Sequence, residues 1–195
     1  MKKLCTVLML CLVSIMTRGE QKYDLTPIGV LENCGIRTSI CVTTPKENGN
    51  YDISFVGYDN TFFFVAGKEN IELFRENLLS IRNKYIEWKK EALNNNMQDT
   101  KKTFPFYLPI SVAWWSKNSN KMEIVKNHVF TPIFVVEKEY ENFAMFIYEQ
   151  VVSSNNENKM VAWGICSEAD FDTLLFCTEF ENVKKALQNK NLLDK

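Results

Sequence analysis

Residues 68–94 read KENIELFRENLLSIRNKYIEWKKEALN, and this stretch decides the fold class. Apolar side chains recur at Ile71, Phe74, Leu78, Ile81, Tyr85, Trp88 and Ala92, spaced alternately by three and four residues. That is the period of one helix face. Leu79, Ile86 and Leu93 widen the stripe, while Glu72, Arg75, Glu76, Arg82, Lys89 and Lys90 occupy the other side. Gly67 stands before the stretch and Asn94-Asn95-Asn96 after it, which sets a helix over about 68–94. A coiled coil has the same spacing, but β segments on both sides favour a helix laid across a sheet.

Working outward, Pro27 to Glu32 and Ile36 to Thr44 read as strands flanking Cys34. Tyr51 to Val56 alternates apolar and polar residues, and Thr61 to Ala66 is short and aromatic. The Asn48-Gly49 pair is a hairpin signal. Downstream, Ile110 to Trp115, Met122 to Lys126, Val129 to Glu137, Phe143 to Val152 and Met160 to Cys166 read as strands. Pro132, near the start of the third of these, suggests an edge or a bulge. Ser167 is a good N-cap for a helix over Ala169 to Cys177, with Glu168 and Asp170 in its first turn. Val183 to Asn189 is a second short helix. The expected class is α+β, with a mainly antiparallel sheet, one long amphipathic helix and two short C-terminal helices. Strands followed by a helix run over 36–79 and again over 131–176. A duplicated βββα unit, with halves at about 27–96 and 106–190, would account for that order, as would an ordinary α+β domain.

The first nineteen residues have the three-part layout of a secretory signal peptide. Met1-Lys2-Lys3 is basic, Leu4 to Met16 is apolar, and Thr17 and Gly19 are small residues before a cut at Glu20. This run of thirteen residues, broken by Thr6 and Ser14, is too short to span a hydrocarbon core of about 30 Å comfortably. Lipidation at Cys11 is the weaker reading, because Leu-Met-Leu before it lacks a small residue. Residues 20–195 are then expected to form a single secreted or periplasmic domain, and richness in Asn and Lys suggests a bacterial source. Loss of Lys2, Lys3 and Arg18 takes the net charge from −1 to −4. Phosphate recognition wants a basic surface, so nucleic acid is not an expected partner. No membrane span is expected in the mature chain. With 46% hydrophobic residues, including 14 Phe, 7 Tyr and 4 Trp, disorder is set aside.

His128 is the only histidine, and no nucleophile signature surrounds it. No catalytic residue is therefore assigned. A single histidine and cysteines spaced by seven and eleven do not make the usual zinc site, so neither a metal nor a cofactor is expected. Cys34, Cys41, Cys166 and Cys177 form an even set in an exported chain, available for disulfides in three connectivities. Glu137, Glu139, Glu141 and Glu149 lie along adjacent strands, and two carboxylates about 5–9 Å apart could hydrolyse a glycosidic bond. Charges at strand edges more commonly block edge pairing. Trp114 and Trp115 are neighbours on one strand and must point to opposite faces. One ring should enter the core, leaving the other to meet a sugar ring or a protein unless that face is covered too. The function expected is an exported, non-enzymatic module of the cell envelope or extracellular space that binds a protein, peptide or glycan. The alternative is a carboxylate-dependent hydrolase such as a glycosidase.

Overall fold

The structure, a computed structural model, describes residues 25–32, 35, 37–45, 49–57, 61–117, 119, 121–137 and 142–189. Four strands come first: β1 (Leu25–Leu31), β2 (Thr38–Thr43), β3 (Asp52–Val56) and β4 (Phe62–Ala66). The long helix α1 (Lys68–Asn94) follows, then β5 (Thr100–Thr103), β6 (Leu108–Trp115) and β7 (Met122–Phe130). The chain ends with β8 (Ile133–Glu137), β9 (Asn142–Val152), β10 (Asn158–Ile165), α2 (Glu168–Cys177) and α3 (Phe180–Asn189). The α+β class, the long helix and the two short C-terminal helices stand as read from the sequence.

The strands form two antiparallel sheets, one of six in the order β1-β2-β3-β4-β6-β7 and one of four in the order β10-β9-β8-β5. The continuous strand expected over Val129 to Glu137 is split between them. β7 ends at Phe130 in the six-stranded sheet, and β8 begins at Ile133 in the four-stranded one. Pro132 lies in the gap because it has no N–H to give a ladder; its carbonyl accepts from the Phe104 amide at 3.0 Å instead. The short β5 was not foreseen, since Thr-Lys-Lys-Thr carries no apolar alternation; it exists by pairing with β8. In both halves three consecutive antiparallel strands, β2–β4 and β8–β10, lead directly into a helix.

Helix α1 starts behind Gly67, whose φ of 81° suits a residue without a Cβ. It stops at Asn95, with Asn96 left-handed at φ 48°, as a turn-forming Asn allows. Ile71, Phe74, Leu78, Ile81 and Tyr85 are buried in one core with Ile53, Phe55, Phe63, Val112 and Trp163. Trp163 on β10 joins the sheets by packing on Phe55 at 4.8 Å and Phe63 at 6.0 Å between ring centroids. The Tyr85 hydroxyl, buried at the helix's middle, donates to the Phe143 carbonyl at 2.9 Å and the Cys166 carbonyl at 3.3 Å. Trp88, expected on the buried stripe, is only partly buried. It stacks on Phe104 at 4.9 Å, with the ammonium groups of Lys84 and Lys102 over its ring.

Candidate functional site

The expected division of the tryptophan pair is observed. Trp114 lies opposite Glu123 on β7 and is 4% exposed, part of the core. Trp115 lies opposite Met122, on the other face, and is half-buried. Strand alternation alone produces this split. By register, Ile124 and Phe62 both flank Ala113 and so stand diagonal to Trp115 on its face. Ser111, Ala113 and Phe62 on this outward side are buried, so the reachable part is Trp115, Met122 and Ile124, the last 45% exposed. The stripe of α1 is buried on the opposite side of the sheet, with Ile53, Phe55, Phe63 and Val112.

Behind Trp115, a polar junction fixes the β6–β7 end against the turn after β9. The Asn155 amide donates to both oxygens of Glu123 at 3.0 Å, and Ser116 donates to Glu157. Hydrogen bonds from Ser153 and Asn155 hold the Glu123 carboxyl below the usual carboxylate range, with Lys121 aiding. A carboxylate so fixed is a poor proton donor, because its charged form is the one stabilised. The arrangement holds a platform; it is not poised for acid–base chemistry.

A second outward face was missed at the level of sites, although its signal is in the sequence. β9 carries apolar residues on both faces: Met145 and Ile147 inward, and Ala144, Phe146 and Tyr148 outward. The ring of Phe146 lies across Gly164, where a Cβ would come within 2.8 Å of it. Tyr148 opposite Ala162 is 63% exposed, and Met160 is exposed beside it. A one-sided strand would carry polar residues there.

The carboxylate route fares differently. Glu139 and Glu141 lie outside the described residues. Glu137 is exposed at the end of β8 opposite Asn142, seven residues along β9 from Glu149. Seven residues of strand are about 23 Å, and an odd separation places Glu137 and Glu149 on opposite faces. They cannot flank one glycosidic bond. Glu149 instead accepts from the Thr131 amide at 2.7 Å and stands 3.5 Å from the His128 Nε2. His128 on β7 and Glu149 on β9 thus meet where the two sheets adjoin.

Cys41 and Cys177 are reduced thiols. The reason is geometric. The Cys177 sulfur sits against Gly29 and Ile40 and donates to the Ile28 carbonyl at 3.4 Å. Cys41 is half-buried between the core residues Ile40 and Val42, so its side chain leaves the opposite face of β2. Cys166 is disulfide-bonded. Cys34 lies outside the described residues, as do Cys11, Gly19 and the whole of residues 1–24. Among the described residues, no group of three or more His, Cys, Asp or Glu side chains could hold a metal ion, and no helix is long and apolar enough to cross a membrane. No protein-family model, no curated protein and no solved structure matches this chain.

Proposed function

We propose that this protein is an exported interaction module. It binds a protein, peptide or glycan of the cell envelope or extracellular space through the outward face of its six-stranded sheet. One observation carries the reading: of two adjacent tryptophans, the fold spends Trp114 on the core and leaves Trp115 half-open beside Met122 and Ile124. A half-open indole is a rigid amphipathic contact of the kind that dominates binding energies. Export is supported by the signal-peptide layout of residues 1–19.

The test uses protein recovered from the envelope or the medium, whose mass should match a chain beginning near Glu20. Trp115→Ala should lose capture of envelope proteins or of arrayed glycans while the unfolding midpoint stays within about 1 kcal/mol of the parent, as for other surface changes. Trp115→Phe should restore part of the capture. Trp114→Ala should instead destabilise by about 3–5 kcal/mol. Equal capture by the parent and Trp115→Ala would remove this face from the function, and Tyr148→Ala would then test the other sheet.

A further inference from the structure

Each sheet ends in two edge strands, and among the described residues three of these four edges are occupied or short. On β1, the Ile28 carbonyl accepts from the Cys177 sulfur and the Glu32 amide donates to Asp170, so α2 lies along it. On β10, Gly57 stands so near that a Cβ there would be 2.9 Å from the Ala162 carbonyl. β5 is four residues long and reads Thr-Lys-Lys-Thr. β7 is nine residues long and pairs with β6 alone. An open edge of that length is a template for a further strand.

The β6–β7 hairpin sets which backbone groups face the open side. The Ser116 amide donates to the Lys121 carbonyl at 2.9 Å, and the register places these two residues opposite each other. Bonded and unbonded pairs alternate along an antiparallel ladder. Glu123 opposite Trp114 and Val125 opposite Val112 therefore bond to β6. Met122 opposite Trp115 and Ile124 opposite Ala113 turn both N–H and C=O away from it. Beyond Val125 the register shifts, and Asn127 is left-handed at φ 50° with its amide on Ser111 Oγ at 3.0 Å. That bulge ends the regular edge, which leaves residues 121–126.

Charge decides what fits there. Lys121 and Lys126 bracket the stretch, and both are exposed, as is Lys117 in the hairpin turn. The carboxylates at this end, Glu123 and Glu157, are hydrogen-bonded into the junction by Asn155 and Ser116. A second copy paired antiparallel about the middle of the stretch would set Lys121 against Lys126, and like charges directly opposed destabilise a ladder. A glycan carries no repeat of N–H and C=O to match the edge. We propose that the partner is an extended polypeptide segment with acidic side chains, which adds to the open side of β7 over residues 121–126 as a seventh strand. Main-chain bonds to Met122 and Ile124 hold it, and its outward side chains pack beside the Trp115 face. The proposal deepens the function given above and rests on it.

The probe is a displayed library of random linear peptides selected on the full chain. Binders should be rich in acidic and β-branched residues. N-methylation of alternate backbone amides in a synthetic binder should abolish binding in one set of positions and spare it in the other. Ile124→Pro removes only an edge-facing N–H, which an edge strand tolerates, and should bind about tenfold more weakly than Ile124→Ala. Lys126→Glu should weaken binding by about two- to fivefold. If Ile124→Pro lowers the unfolding midpoint, the N-methyl series on the unaltered protein decides. A library without binders, binders lacking acidic residues, or N-methylation tolerated in both sets overturns the proposal. Peptides that bind in this pattern to the parent and to Trp115→Ala alike would remove the Trp115 face and keep the edge. Capture of envelope proteins or glycans lost in Trp115→Ala but unchanged in Ile124→Pro would keep the face and overturn the edge.

Discussion

Gly29 shows how narrowly β1 and α2 fit, because a Cβ there would stand 2.3 Å from the Cys177 sulfur. The burial that makes this contact also pushes the Cys177 thiol up from 9.0 to about 11. The folded state therefore holds this proton more tightly than the unfolded chain. Its contribution is fully present below the unfolded value and is lost as pH rises from about 9 towards 11. Tyr85, raised first by burial and then by Glu168 and Asp170, acts in the same direction at still higher pH. Urea midpoints should fall above pH 9 with a slope approaching about 1.4 kcal/mol per pH unit, and Cys177→Ala should flatten the fall between 9 and 11. A stability constant to pH 11 in the parent would contradict this. The tryptophan pair was legible from sequence because strand alternation is strict. The state of Cys177 was not, because the partner face comes from β1, 149 positions away.

At the scale of elements, α1 was legible almost to the residue, since a three-and-four spacing between a Gly and an Asn run admits little else. Leu78, with no exposed surface in the middle of that stripe, is its most sensitive position. Leu78→Ala should cost about 2–5 kcal/mol by lost burial and a cavity, read as a lowered midpoint; an unchanged midpoint would mean the stripe does not pack on the sheets. The cap at Ser167 was equally plain, and its Oγ does accept from the Asp170 amide. Strands were harder. β5 has no apolar pattern of its own and owes its existence to β8, so no local signal could reveal it. Pro132 announced an interruption, but a local reading cannot tell a bulge from a change of sheet, because the choice depends on which distant strand offers an edge. The same limit hid the second apolar face at Phe146 and Tyr148: two-sided apolarity was visible in β9, but not which side the core would take.

Across the whole molecule, the order of strands within each sheet differs from their order along the chain. After β4 and α1 the chain adds β5 to the four-stranded sheet, returns for β6 and β7, and leaves again at Pro132 for β8 to β10. The two halves suggested by the repeated order of elements are consequently interlaced. Residues 20–99 alone would leave β4 with an open edge at Phe62-Phe63-Phe64, where β6 belongs, and a long apolar edge invites aggregation. Either fragment, 20–99 or 100–195, should be insoluble when made separately, while refolding the two together should recover a soluble 1:1 complex; a soluble, cooperatively unfolding 20–99 would contradict this. The same lacing has a consequence for synthesis. The six-stranded sheet cannot close until residue 130 has emerged, nor the four-stranded one until residue 165. A chain truncated before the end of β7 thus contains no finished sheet, and one truncated before β10 still lacks the four-stranded sheet and Trp163, whose ring joins the two.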